Sequence, residues 1–353
     1  MEFMTGGRAE VRITPADVGK RVSVRRRTGG GPGSAAFTDT VGVLTSWDAG
    51  VLSITRRNGE CVEIDESLLV AAKVVPAEPA RRRGPAADAR ELQEVAARGW
   101  PALETERLGD WALRAAGGFT RRANSVLPLG EPGVPLDTAL ERITRWYGER
   151  GLPALIVVAT GRADTGEQLA AELDRRGWTA ERHTSVRIAA LAPLADTGAD
   201  TMGVPPGRAK PRAWGMAALA REPDAEWLGM YNRTGEPTPD ALKVLTGGPS
   251  VWFATVPSAG PHAGRPAAIG RVVVDGRWAG FSAIEVDPAQ RRQGLATLVM
   301  AALAERALQE GASAAYLQVE DDNIDGRALY DRLGFTEHHG YHYRRALPGD
   351  GAR

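Results

Sequence analysis

The sequence predicts an α/β protein, with a mixed sheet flanked by helices following a separate β-rich segment. Three observations carry this. Residues 8–76 hold short apolar runs broken by turn residues, with no helical periodicity. Beyond residue 88, helix-length amphipathic stretches alternate with buried-strand runs. Between them, residues 77–87 carry Pro79, Pro85 and Arg81-Arg82-Arg83, the composition of a linker.

In the first segment the strand runs are 21–25, 40–47, 51–56, 61–64 and 70–75, with turns at Asp48-Ala49-Gly50 and Asn58-Gly59. Five short strands with tight turns predict a small SH3-like β-barrel, with residues 28–34 as a glycine-rich loop. Farther along, 137–150 reads as a helix and 154–159 as a buried strand. Residues 198–211 accumulate proline and glycine, as in a crossover. Helical regions are then expected at 216–232 and 239–246, and strands at 251–256, 268–274 and 278–286, with 257–266 a long loop or lid.

The most informative stretch is 284–296. Ile284, Glu285 and Val286 form the end of a strand that breaks at Pro288 into a basic turn, and a helix begins near Leu295. Gly294 allows close backbone approach, and the unpaired N–H groups of the first helical turn, aided by the helix dipole, favour an anion. Arg291 and Arg292 add positive charge. The helix runs to Gly311, 314–319 is a strand, and Asp321-Asp322-Asn323 opens a second helix that ends in Tyr330-Asp331-Arg332-Leu333-Gly334-Phe335.

Arg291-x-x-Gly294-x-Ala296, followed by Asn323, Tyr330 and Leu333-Gly334-Phe335, resembles the acyl-CoA core of the GNAT N-acetyltransferases. The likeness covers residues 207–345 and is strongest from 280 to 335. It implies that the strand bearing Ile284, Glu285 and Val286 splays from its neighbour and offers backbone groups to pantetheine. It implies that Arg291, Arg292, Gln293, Gly294, Leu295, Ala296 and Thr297 hold a pyrophosphate, that Asn323 lies beside the cofactor, and that the Tyr330 phenol lies near its sulfur.

Acetyl transfer to an amine needs a neutral nucleophile and protonation of the departing thiolate. A phenol with an unperturbed pKa of about 10 remains protonated at neutral pH and suits the second task. In several relatives a glutamate occupies the position of Gln318, which cannot accept the proton of an ammonium. Glu320 and Glu285 are the neighbouring carboxylates available as bases, although each reads first as a solvated or hydrogen-bonded carboxylate. An acceptor amine of low pKa needs neither.

An echo of this core occurs earlier. Leu173-Asp174-Arg175-Arg176-Gly177-Trp178-Thr179 matches Tyr330-Asp331-Arg332-Leu333-Gly334-Phe335-Thr336, and each follows a strand and a helix. Aligned on it, Leu173 stands at the Tyr330 position and Gly166 at the Asn323 position, so the first copy lacks the acid; residues 130–136 lack the Arg-x-x-Gly-x-Ala pattern. The expected organisation is 1–76 barrel, 77–87 linker, 88–206 degenerate copy, 207–347 catalytic copy and 348–353 tail. Gly117 to Ser125, rich in glycine and arginine, is expected to be a structural hairpin or the lining of a cleft. Architectures of this kind resemble a group of actinobacterial GNAT-like proteins, some described as putative histone acetyltransferases.

Lys+Arg 44 against Asp+Glu 44 leaves no net charge, so electrostatics give no reason to expect nucleic acid. Cys61 is the single cysteine, which rules out an internal disulfide or a thiolate cluster within the chain. His338, His339 and His342 lack accompanying metal-ligand spacing and read as a solvated hairpin; no metal is expected. The expected protein is a cytoplasmic acetyl-CoA-dependent N-acetyltransferase acting on an amine of a small molecule or protein. The alternative is a non-catalytic acyl-CoA-binding scaffold whose barrel engages a macromolecule or a second copy of the chain.

Overall fold

The computed structural model describes residues 11–28, 37–56, 58–75, 85–162, 164–200, 217–231, 237–258 and 265–346. Most of the predicted 28–34 loop, 77–84 of the linker, most of the 198–211 crossover, 259–264 of the lid loop and the 348–353 tail lie outside the described residues.

Strands β1 (Arg21–Arg27), β2 (Phe37–Asp48), β3 (Val51–Thr55), β4 (Cys61–Asp65) and β5 (Leu69–Val74) form one sheet of order β4-β3-β2-β1-β5. Alternation sends Val22 and Val24 into a core with Leu44, Leu52, Ile54 and Ile64, while Arg21 and Arg25 face solvent. The strands fall where the sequence places them, but within the described residues this is an open sheet rather than a closed barrel.

There follow α1 (Ala89–Gly99), the three-stranded sheet of β6 (Glu104–Leu108), β7 (Trp111–Ala115) and β8 (Leu127–Pro128), and α2 (Leu136–Gly148). Next come β9 (Leu155–Thr160), α3 (Glu167–Arg175), β10 (Thr179–Ala190) and α4 (Leu191–Asp200). The remainder is β11 (Ala218–Ala220), α5 (Ala225–Met230), α6 (Pro239–Thr246), β12 (Ser250–Pro257), β13 (Pro266–Asp275), β14 (Trp278–Val286), α7 (Leu295–Gln309), β15 (Ala314–Glu320), α8 (Ile324–Arg332) and β16 (Thr336–Arg345). The helix expected over 216–232 is thus corrected to a short strand and a short helix; Asp224 caps the latter by accepting from Trp227 N at 2.7 Å.

The chain forms two compact units: Met1–Arg81 with Val157–His183 and His339–Arg353, and Arg82–Ile156 with Thr184–His338. In the second, the sheet order is β11-β12-β13-β14-β15-β10. β14 and β15 pair in parallel; β13 is antiparallel to both β12 and β14. Along β13, Ala268, Val272 and Val274 enter the core beneath α7, formed with Leu295, Val299, Leu303, Leu317 and Phe335. Ile269 and Val273 face the other way, into a core with Trp100, Trp227, Val244 and Phe253.

The first unit contains a buried polar knot that corrects the reading of the histidines. Arg344, 1% exposed, donates to Asp174 Oδ1 (2.6 Å), Trp178 O (3.2 Å), Gly59 O (2.9 Å) and His342 Nε2 (3.0 Å). His342 is fully buried and stacks on His183 at 5.2 Å; burial, Arg344 and His183 push its pKa down to about 3. His339 is buried in this unit as well, and in the other unit His338 is buried with its Nε2 3.0 Å from Ala87 O. These residues belong to an interior strand rather than a solvated hairpin, because β16 lies between β10 and β9 in the sheet order.

Candidate active site

The site begins as a flaw in a hairpin. Opposite β13 residues Ile269 and Arg271 stand Glu285 and Ser282, so β14 carries one extra residue; Ala283 adopts φ 52° there. Gly270 sits against this bulge because a Cβ would lie 2.4 Å from Val299 Cγ1, and its carbonyl accepts from the buried Trp227 Nε1 at 3.3 Å. The bulge turns the end of β14 away from β15. The two pair in parallel only from Trp278↔Ala314 to Phe281↔Leu317, whereas β15 stays paired with β10 as far as Glu320. A wedge therefore opens between residues 282–286 and 318–320.

Ile284, Glu285 and Val286 line one arm of that wedge. Glu285 and Val286 pair with Ile269 and Ala268 on the β13 side, which leaves the edge toward β15 without strand pairing, and Ile284 packs on the core. Gln318 and Glu320 begin and end the other arm, all three polar side chains, Glu285 included, being half-buried. The structure thus puts Glu285 and Glu320 on the two arms but does not bring them together as a pair.

At the end of β14, Asp287 Oδ1 accepts from Ala289 N at 2.8 Å, and the buried Gln290 donates to Ser258 Oγ at 2.7 Å, which fixes the turn. Arg291, Arg292 and Gln293 are exposed, and Gly294 precedes α7 in the left-handed region at φ 78°. The first α7 bond of the i→i−4 type is Leu298 N to Gly294 O (3.0 Å), so the N–H groups of Leu295, Ala296 and Thr297 precede it, and no side chain caps this helix start.

Tyr330 lies in the last turn of α8. Its ring meets Phe335 edge-on at 5.9 Å, and Phe335 in turn meets Phe281, the last paired residue before the wedge, at 6.4 Å. This aromatic relay ties the phenol to the place where the strands part. Asn323 caps α8, its Oδ1 accepting from Gly326 N at 2.9 Å. The buried Arg187 on β10 fixes the other end of the helix by donating to Asp331 Oδ1 (2.6 Å) and Arg327 O (3.2 Å).

A cavity at the mouth of the wedge was not read from the sequence. Trp100, Arg122, Arg271, Ser282, Tyr316 and Gln318 are among its lining residues. Arg122 comes from the Gly117–Ser125 loop, which Asn124 builds: its Oδ1 accepts from Ala116 N and Gly118 N, and its Nδ2 donates to the carbonyls of Phe119 and Thr120. The segment is both the connection between β7 and β8 and a lining element. Some 150 residues separate Arg122 from Arg271 (271 minus 122 is 149), so spacing could not have joined them. Among the described residues, no group of three or more His, Cys, Asp or Glu could hold a metal, and no helix is long and apolar enough to cross a membrane.

A bulged strand parting from its parallel neighbour, a helix N-terminus beside the parting and a tyrosine on the following helix define a GNAT-type N-acetyltransferase. A GCN5-related N-acetyltransferase from Kribbella flavida shares the fold with a TM-score of 0.54 at 18% identity, over 76% of this chain and 99% of that one. So does a tandem GNAT protein from the clavulanic acid biosynthesis pathway, at 0.53 and 18%, over 78% and 93%. More narrowly, the chain belongs to the family described as "Probable histone acetyltransferase Rv0428c C-terminal", whose model matches residues 86–344, preceded by an Sm-like N-terminal domain matching 16–73. "Probable histone acetyltransferase Rv0428c" of Mycobacterium tuberculosis is 30% identical over 332 residues, 92% of this chain and 94% of the relative. "Uncharacterized N-acetyltransferase YobR" of Bacillus subtilis is 26% identical, over 73% of this chain and 98% of the relative.

Proposed function

We propose that the chain transfers an acetyl group from acetyl-CoA to a primary amine by direct attack in a ternary complex. The parting of β14 from β15 beside the α7 N-terminus is the observation that carries this reading, because it puts a strand segment outside the β14–β15 ladder and an uncapped helix start close together. Leu295, Ala296 and Thr297 would hold a pyrophosphate through backbone N–H groups, with Arg291 and Arg292 adding charge, and residues 284–286 would offer backbone partners to the pantetheine amides. Asn323 would stand beside this arm. The neutral amine nitrogen attacks the thioester carbonyl carbon; the C–N bond forms and the C–S bond breaks. Tyr330 gives its phenolic proton to the leaving thiolate, and the phenolate regains a proton from the acylated nitrogen, directly or through water, with Glu285 or Glu320 as the relay.

Residues 207–347 form the catalytic copy in this reading, and 88–206 a degenerate one. A relative's name offers a histone as acceptor; a small-molecule amine is the other class. The test is acetyl-CoA-dependent thermal stabilisation together with thiol release. Tyr330→Phe should keep the stabilisation and lower turnover by about 10²-fold or more; unchanged turnover would remove Tyr330 from the chemistry. Gln318, standing where relatives carry a glutamate, favours a second reading, an acyl-CoA-binding scaffold. That reading requires stabilisation by acetyl-CoA without turnover on a broad amine panel.

A further inference from the structure

The cavity at the mouth of the wedge is lined by two arginines and, among the described residues, by no acidic side chain. Arg271 is 1% exposed, and its guanidinium donates only to neutral groups: Leu245 O (2.6 Å), Gly99 O (3.0 Å), Gly247 O (2.8 Å) and Ser282 Oγ (3.3 Å). These bonds use four of the five N–H donors of an arginine, and the fifth is on Nη1, the nitrogen bonded to Ser282 at the cavity wall. Arg122 lies over the Trp100 ring at 4.8 Å, with Arg271 at 4.8 Å from the same ring. No acidic side chain is among the residues that line the cavity. A buried charge of this kind is costly unless a partner of opposite sign reaches it, and burial accordingly draws the Arg271 pKa down to about 9.

The cavity also has the right position. Ser282 and Gln318 are the first residues beyond the last parallel pair, so they belong to both the cavity and the wedge. Tyr316 and Gln318 alternate with Leu317 and Val319, which face the core under α7. The cavity therefore lies on the face of the sheet opposite α7, away from the α7 N-terminus, and its volume of about 20 Å³ has room for a group the size of a carboxylate, the rest of the acceptor remaining in the wedge.

Resting on the acetyltransferase reading, we propose that the acceptor is an amine carrying a carboxylate close to its nitrogen, an amino acid or an analogue of one, whose carboxylate is bound by Arg122 and Arg271. The same two cations explain the tolerance of Gln318: positive potential disfavours the ammonium form of a nearby amine, so less proton abstraction is required. A lysine in a basic protein tail lacks the carboxylate and is repelled.

The test uses the full chain. Acetyl-CoA stabilisation is measured first, and its absence would overturn the acetyltransferase reading alone. N-acetylglycine and N-acetylglycinamide are then compared as product-like probes by calorimetry in the presence of CoA, and amino acids are compared with their amides and with a lysine-rich peptide as acceptors. N-acetylglycine should bind about 10- to 100-fold more tightly than the amide. Arg122→Gln should abolish that preference with acetyl-CoA stabilisation and melting temperature retained, and Arg122→Lys should restore part of it. Equal binding of the two probes, a preference indifferent to Arg122→Gln, or faster acetylation of the lysine-rich peptide would overturn the proposal while leaving acetyl transfer standing.

Discussion

The ends of α3 and α8 are built alike and differ at one telling position. In α3, Trp178 N donates to Leu173 O (2.9 Å) and Gly177 N to Asp174 O (2.9 Å), with Gly177 at φ 78°; in α8, Phe335 N donates to Tyr330 O (2.9 Å) and Gly334 N to Asp331 O (3.1 Å), with Gly334 at φ 83°. The aspartate of each end is held at 2.6 Å by a buried arginine, Arg344 on β16 for Asp174 and Arg187 on β10 for Asp331. Everything shared by the two is therefore explained by helix termination and anchoring. Arg176 against Leu333 and Trp178 against Phe335 also differ, but the difference that bears on the proposed chemistry is Leu173, fully buried, against Tyr330, half-buried and joined by Phe335 to the wedge. Aspartate and glycine in this echo serve helix termination and anchoring, and the tyrosine is the difference to which the proposed chemistry is assigned.

The largest expected effect tests the anchors against each other. Arg344→Met strands the carbonyls of Gly59 and Trp178 and the Nε2 of His342 together, whereas Arg187→Met strands one carbonyl, that of Arg327. Asp174 and Asp331 are about half exposed and can return to water. Denaturant unfolding should show a loss of about 3 kcal/mol for Arg344→Met and about 1 kcal/mol for Arg187→Met. Equal losses would mean that the extra partners of Arg344 contribute nothing.

Next, Leu173→Tyr makes the first helix end resemble the second in sequence. Leu173 has no exposed surface, so the added hydroxyl is buried and the ring overpacks. The variant should lose about 1–3 kcal/mol and gain no acetyl transfer when combined with Tyr330→Phe. Recovered turnover would show that the end of α3 carries a usable site.

Acid should separate the anchors. His342 has a folded-state pKa of about 3 against an ordinary 6.5, so it is held neutral. A depressed folded pKa gives stability that is present above pH 6.5 and is lost as pH falls toward 3, because the unfolded chain takes up a proton that the native knot refuses. Amide protection at Trp178 should therefore decline over that window relative to Phe335, whose arginine anchor includes no histidine. His342→Gln, which keeps an acceptor for Arg344, should flatten the difference; a difference that persists would assign it to another group.

The same contrast shows what sequence can carry. The α8 end, Gly294 and the order of strands after residue 250 were legible because each rests on local chemistry: a left-handed glycine, a basic turn, period-two burial. The bulge at Ala283 was not, since neither alanine nor Gly270 announces it, and the groups packed around Gly270, Val299 and Trp227, come from distant parts of the sequence. Nor was the cavity, because Trp100 and Arg122 reach Arg271 only through the fold. The histidines were read as solvated because the position of β16 inside the sheet is a long-range fact.

The smallest effect concerns the other ends of these helices. Asn323 caps α8 through Gly326 N, whereas Gly166 at the matching place on α3 makes no side-chain cap. Losing the cap in Asn323→Ala should cost about 1 kcal/mol. Asn323→Asp keeps an acceptor oxygen for Gly326 N and should retain nearly all of that stability. Titration with acetyl-CoA then separates this cap from the proposed contact of Asn323 with the cofactor. If Asn323 acts only by holding α8, affinity falls in the alanine variant and is preserved in the aspartate one. If its amide N–H also donates to the donor molecule, both variants weaken binding, and the aspartate does so more strongly because a carboxylate cannot donate and repels phosphate.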